Sequence, residues 1–219
     1  MFRPSNTDEE SEQLEHERIR RLYGCGDEAA LSHQSDTNTP MLLAVGRLVA
    51  RKGYMTLLRA MPKVLNKNPG AKLVIVGRGH MKASLEKNAR KLGISDSIHI
   101  QSSLSFAELA QHFRSADLVV YPSYYEGQGL IPLESLASGT PVATVDQEPL
   151  TEMVDSTVGG LFKRGDPVDL ARCVNEMLSS DETAGKAILG RERVLSKYTY
   201  ENNASEYEAV FQRAIEKKG

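Results

Sequence analysis

The chain predicts an α/β fold: a doubly wound parallel sheet with helices on both faces and a helical tail. Three observations carry this reading. Short, almost wholly apolar runs recur, at Met41-Leu42-Leu43-Ala44-Val45-Gly46, Lys72-Leu73-Val74-Ile75-Val76-Gly77 and Leu118-Val119-Val120-Tyr121. Helical stretches alternate with them, their apolar positions three and four residues apart. The connections are short, as a sheet covered on both faces requires.

The elements follow in order. Residues 1–40 are polar and read as a leader with a surface helix over residues 8–23. Thr7 and Glu10 have the spacing of a capping box, and the helix runs from acidic to basic at Arg18, Arg20 and Arg21 before Gly24. A polar loop then leads to Pro40. Residues 41–219 read as the domain proper. A strand at 41–46 precedes a helix over 54–66, with Leu57, Leu58, Met61, Val64 and Leu65 on one face. Pro62 inside it predicts a kink or a late start. Then come a strand at 72–77, a helix at 81–92, a strand at 97–100, a helix at 106–114 and a strand at 118–121. The next helix begins after Gly129 and stops at Gly139, a C-cap glycine. Strands at 141–144 and 160–162 follow, then helices near 167–178, 181–195 and 201–217.

Composition narrows the function. Net charge is −2 with no long basic run, which argues against a nucleic-acid partner. Cys25 and Cys173 make neither a disulfide framework nor a zinc spacing, which fits a reducing, cytoplasmic setting. No apolar stretch is long enough to span a bilayer, and no signal peptide opens the chain. The five histidines show no ligand spacing, and no two aspartates are separated by one residue, so no metal is expected. His99 reads as a structural strand residue and Cys173 as core. No phosphate-binding P-loop exists. Gly77-Arg78-Gly79 lacks the third glycine of a dinucleotide motif, with Lys82 in its place, and reads as a tight turn.

The chemistry gathers around Glu126-Gly127-Gln128-Gly129-Leu130-Ile131-Pro132-Leu133-Glu134, directly after an apolar strand. In an open parallel sheet the carboxyl ends of the strands are where ligands bind. Glycines admit a ligand to the backbone, and a helix start offers free N–H groups to an anion. Carboxylates on either side can accept hydrogen bonds from hydroxyls. Pro132 sits in the first turn, where its missing N–H costs least. Glu134 lies in an otherwise apolar segment and needs a partner, which a ligand hydroxyl would supply. Gly46-Arg47 and Lys52-Gly53 follow the first strand at the same edge. Arg47 and Lys52 alone would be solvated loop cations; opposite a glycine-rich helix start, phosphate binding is the better reading. The ligand implied carries both phosphates and hydroxyls.

In this order and spacing, Gly46-Arg47 with Lys52-Gly53, Gly77-Arg78-Gly79, Ser115-Ala116-Asp117, Tyr121-Pro122-Ser123, Glu126 through Glu134, Gly139-Thr140-Pro141-Val142, Glu152 and Gly159-Gly160-Leu161 resemble one known pattern. It is the nucleotide-sugar-binding C-terminal domain of retaining GT-B glycosyltransferases of group 1, related to glycogen and sucrose synthases. The resemblance covers residues 41–219, and Phe2-Arg3-Pro4 looks like the end of that family's interdomain linker. It implies a Rossmann-like domain, one half of a GT-B fold, that serves sugar transfer from a nucleotide-diphosphate sugar with retained configuration and no required metal or other cofactor. Arg47, Lys52 and Glu126 would be catalytic. Arg47 and Lys52 would hold the diphosphate and Glu126 would face the sugar. Gly129, Leu130 and Ile131 would hold the distal phosphate, Glu134 would bond the ribose, Gly77, Arg78 and Leu104 would lie near the base, and Gly46 and Gly127 would also contact the donor nucleotide. The partner would be an N-terminal acceptor-binding domain absent from this chain, which leaves room for peripheral membrane contact through that half. Three positions depart from the pattern. Gln128 replaces an aromatic, Ser102 replaces a glycine, and Asp146 to Leu150 replaces a pair of glycines before Glu152. A nucleotide-sugar epimerase of the same fold, or a non-catalytic nucleotide-sugar-binding module, are the alternative readings.

Overall fold

The structure is a computed structural model that describes residues 9–25 and 39–216. Six strands form a single all-parallel sheet in the order β3-β2-β1-β4-β5-β6. They are β1 (Met41–Val45), β2 (Lys72–Val76), β3 (Ile98–Gln101), β4 (Leu118–Tyr121), β5 (Val142–Val145) and β6 (Gly159–Phe162). The central β1 pairs with β2 from Met41↔Lys72 to Val45↔Val76, and with β4 at Leu42↔Leu118 and Leu43↔Val119. Every residue of β1, β4 and β5 is buried. That is why these runs are continuously apolar: side chains on both faces meet helices. Strand order reverses between β1 and β4, which makes that crevice the switch point of the sheet.

Helices flank the sheet. They are α1 (Glu9–Leu22), α2 (Tyr54–Lys67), α3 (Lys82–Lys91), α4 (Phe106–Ser115), α5 (Leu130–Ala137), α6 (Leu150–Met153), α7 (Pro167–Ser179), α8 (Glu182–Lys197) and α9 (Tyr200–Glu216). In one set α2 packs on α7 and α3; in the other α5 packs on α8 and α4. Caps account for several starts. Ser105 and Glu108 form a reciprocal capping box on α4, and the Asp166 carboxylate accepts from the backbone N–H groups of Val168 and Asp169 ahead of α7.

Three expectations need correction. Pro62 neither delays nor ends α2, which runs unbroken from Tyr54. Burial of Leu57, Leu58, Met61 and Val64 against the core outweighs the lost backbone bond. The short α6 was not anticipated, because four residues are too few to show a period. The leader helix is more than a surface element. Its outer residues are exposed, but Ile19, Arg20, Tyr23 and Cys25 are buried, and α1 packs on α4. The Arg20 guanidinium donates to the Asp117 carboxylate at 2.8 Å and to the carbonyls of Ser115 and Thr39 at 3.2 and 2.8 Å. Asp117 also accepts from the backbone N–H of Met41 at 2.7 Å, so one carboxylate ties α1 to the start of β1. The capping box of Thr7 and Glu10 and most of the loop before Pro40 lie outside the described residues.

Candidate functional site at the sheet switch point

Loops from four strands meet at the carboxyl edge. The loop after β1 contains the 3-10 turn Ala50–Lys52 and closes on Gly53, in the left-handed region at φ 70°. A Cβ at Gly53 would lie 1.9 Å from the carbonyl oxygen of Pro122, so only glycine lets the loops after β1 and β4 touch here. The backbone N–H of Tyr124 donates to the Arg51 carbonyl at 2.8 Å across the same seam. Tyr124 is further held by its hydroxyl on Thr56 Oγ1 at 2.6 Å and by Gln147 Nε2 donating to its carbonyl at 3.3 Å. On the other side, a Cβ at Gly77 would lie 1.9 Å from the Gly46 carbonyl oxygen. The turn Gly77-Arg78-Gly79 is therefore a close backbone approach, as its sequence suggests.

The seam buries a charged cluster. Lys52 is not a solvated loop cation. Its ammonium donates to the Tyr121 hydroxyl at 2.8 Å and to the carboxylate of Glu126, and it lies 5.0 Å from the centroid of the Tyr121 ring. The side chains of Lys52 and Glu126 are each only 11 % exposed. The same Glu126 oxygen accepts from the Tyr121 hydroxyl at 2.7 Å and from the Ser123 hydroxyl. Burial alone would raise the Glu126 pKa, but the bonds from Lys52, Ser123 and Tyr121 outweigh it and hold the carboxyl below its ordinary range. Burial pushes the Tyr121 hydroxyl well up, reinforced by its bond to Glu126.

The remaining residues named from the sequence take distinct places. Arg47 is exposed and makes no side-chain hydrogen bond or ion pair among the described residues. Gly129 caps α5 in the left-handed region at φ 83°, and among the described residues no side chain caps that helix, which leaves its first N–H groups without a side-chain acceptor. Leu130 is exposed and Ile131 half-buried, while a Cβ on Gly127 would meet nothing within 4 Å. Glu134 is half-buried on α5, its carboxylate makes no hydrogen bond or ion pair among the described residues, and burial raises its pKa. Arg78 donates to the Ser102 carbonyl at 3.2 Å and to Ser103 Oγ at 2.7 Å, and Lys82 reaches Ser102 Oγ at 3.3 Å. These bonds bind the turn after β2 to the loop carrying Leu104. Gly46, Gly77, Arg78 and Leu104 thus border one edge of the crevice, and Gly127 to Glu134 the other. Tyr121 and Ser123 escaped sequence reasoning as site residues. Their one signal is a hydroxyl at or just past the end of an otherwise apolar strand. Among the described residues no group of three or more His, Cys, Asp or Glu could hold a metal, and no helix is long and apolar enough to cross a membrane.

A model of the family of glycosyl transferases group 1 matches residues 27–191. The chain belongs to this family. An uncharacterized glycosyltransferase of Methanocaldococcus jannaschii is 36% identical over 182 residues, covering 82% of this chain and 46% of that protein. A GDP-mannose-dependent alpha-(1-6)-phosphatidylinositol monomannoside mannosyltransferase of Mycobacterium tuberculosis is 32% identical over 175 residues, covering 76% of this chain and 46% of that one. Among solved structures, the sucrose-phosphate synthase of Thermosynechococcus elongatus superposes with a TM-score of 0.72 at 28% identity, over 85% of this chain and 48% of that chain. The chain spans about half the length of the curated relatives it matches. Its GT-B type, Rossmann-like half-fold is that of this group.

Proposed function

We propose that this chain is the donor-binding half of a retaining, metal-independent glycosyltransferase whose substrate is a nucleoside-diphosphate sugar. One observation carries the reading. A buried ammonium on Lys52, an exposed guanidinium on Arg47 and the uncapped start of α5 all lie at the switch point of a parallel sheet. Cations and free N–H groups together suit a diphosphate. Arg47 and Lys52 bind it, and the N–H groups of Gly129, Leu130 and Ile131 hold its distal phosphate. Glu134, whose carboxylate makes no hydrogen bond or ion pair among the described residues, accepts from the ribose hydroxyls. The edge formed by Gly77, Arg78 and Leu104 receives the base, Gly46 and Gly127 contact the donor nucleotide, and Glu126 faces the sugar. As the glycosidic bond breaks, negative charge grows on the departing diphosphate. Arg47 and Lys52 neutralise it in place, which is the work a metal would otherwise do. The GDP-mannose dependence of the mycobacterial relative supports a nucleotide sugar as donor. The relatives are about twice the matched length, which leaves room in them for an acceptor-binding half.

The test is calorimetric titration of UDP, GDP and ADP into the protein, with and without EDTA. Binding of at least one, unchanged by EDTA, is expected. Arg47→Ala is the decisive variant, since this side chain is exposed and its loss does not disturb the fold. Removing one charge-assisted contact should weaken binding roughly tenfold or more. Equal affinity in wild type and Arg47→Ala, or binding only with added metal, would overturn the reading.

A further inference from the structure

Lys52 is assigned to the diphosphate by the reading above, and the inference here rests on that reading. In the structure its ammonium is already engaged, paired with Glu126 at a site where both side chains are 11 % exposed. With Glu126 as its sole partner, this arrangement would work poorly. The carboxylate would neutralise the ammonium, and it would be left buried and unpaired whenever the ammonium turned toward another anion, a costly state.

Tyr121 alters both terms. It is the last residue of β4 and 3% exposed, so the strand fixes its ring. Its hydroxyl accepts from Lys52 at 2.8 Å and donates to Glu126 at 2.7 Å. Ser123 donates to the same carboxylate oxygen. Glu126 therefore keeps two neutral donors if Lys52 shifts. An ammonium has three N–H groups. With one on Tyr121 and one on Glu126, the third remains for a ligand oxygen. The flexible lysine stem is also ordered in advance, so binding need not order it.

We infer that Tyr121 is a positioning residue for the donor diphosphate: its hydroxyl holds the Lys52 ammonium beside Glu126 with one N–H left for the ligand, and keeps Glu126 paired while Lys52 engages it. Tyr121 does no acid–base chemistry. Burial, and then its bond to Glu126, keeps the hydroxyl protonated.

The test is a double-mutant cycle on affinity for UDP and GDP, using wild type, Tyr121→Phe, Lys52→Gln and the double variant, with thermal unfolding of each. Tyr121→Phe keeps the ring and removes only the hydroxyl. It should weaken binding roughly tenfold, the weight of one hydrogen bond to a charged group, and the same change on Lys52→Gln should cost less than about twofold. A merely structural tyrosine would lower the unfolding temperature and shift affinity equally in both backgrounds, and that result overturns the inference. If Lys52→Gln does not fold, Ser123→Ala decides. It removes a hydroxyl that touches Glu126 but not Lys52, so it should weaken binding less than Tyr121→Phe; equal losses overturn the inference. Diphosphate binding by wild type that is indifferent to Tyr121→Phe overturns this inference and leaves the proposed function standing. No binding by wild type overturns both.

Discussion

If Glu134 binds a ligand as proposed, it shows what such a site costs a fold. Its carboxylate is half-buried on α5 without a partner among the described residues, and burial raises its pKa. The raised value means that the folded state binds the proton more tightly than the unfolded state. Glu134 therefore helps the fold only when protonated. That help is present below the ordinary glutamate range and is lost as pH rises through the folded value, so at pH 7 the ionised group is a penalty. Glu134→Gln should make the free protein more stable at pH 7, and the gain should vanish in acid. The same variant should weaken nucleoside diphosphate binding. Thermal unfolding at two pH values and one titration check both halves; a destabilised variant at pH 7 would contradict the account. That the loops carrying the candidate residues share one sheet edge was legible from their order along the chain, but the pairing of Lys52 with Glu126 was not. Seventy-four positions separate them, and only the close approach at Gly53 brings their loops together. Tyr121 was hidden for another reason: a tyrosine ending a buried strand satisfies the apolar pattern, and its hydroxyl leaves no trace in that pattern.

At the scale of elements, the strands were the most legible parts. Runs of Leu, Val and Ile bounded by glycine have few alternatives, and the observed ends differ from the expected ones by about a residue. The docking of α1 was less legible, because Ile19 and Tyr23 are too few to announce a buried face in a polar helix. What holds it is a cluster of neutral rings. The Tyr23 ring packs against His99 at 5.3 Å and His112 at 5.7 Å. His112 Nδ1 faces the Glu108 carbonyl at 2.7 Å and must carry the proton, so its Nε2 accepts from the Tyr23 hydroxyl at 3.0 Å. His99 Nε2 is buried with no hydrogen-bond partner among the described residues. Burial lowers both histidine pKa values; Lys72 adds to this at His99, while the Glu108 carbonyl opposes it at His112. Around the cluster stand Arg18 and Arg20 on α1, Lys72 on β2, Glu108 on α4, and Asp117. With depressed values in the fold, the unfolded or undocked chain takes up protons first as pH falls below about 6.5. Docking of α1 should therefore weaken from pH 7.5 to 5. Hydrogen exchange of the α1 amides, corrected for intrinsic rate, should show protection lost over that range, and His112→Gln should flatten the change. Constant protection would contradict it.

At the scale of the whole molecule, the parallel sheet covered on both faces followed from strand and helix alternation, and the family from motif order; the strand order, and with it the switch point between β1 and β4, came only from the structure. The buried ion pair and the seam of close backbone contacts belong to the three-dimensional arrangement alone. Under the proposed function that arrangement is one wall of a cleft. Transfer needs donor and acceptor held together with water excluded, and most of the rate advantage comes from that positioning. The chain alone should bind a donor nucleotide weakly and transfer no sugar, which a nucleotide-release assay across donors and acceptors would check; efficient acceptor-dependent transfer would refute it. The most direct test of the central claim is a crystal structure of the protein with its best-binding nucleoside diphosphate. The account places the phosphates between Arg47, Lys52 and the start of α5, with the ribose hydroxyls on Glu134 and Tyr121 still bonded to the Lys52 ammonium. A diphosphate bound elsewhere on the chain, or bound here with Lys52 making no contact to it, would contradict the account.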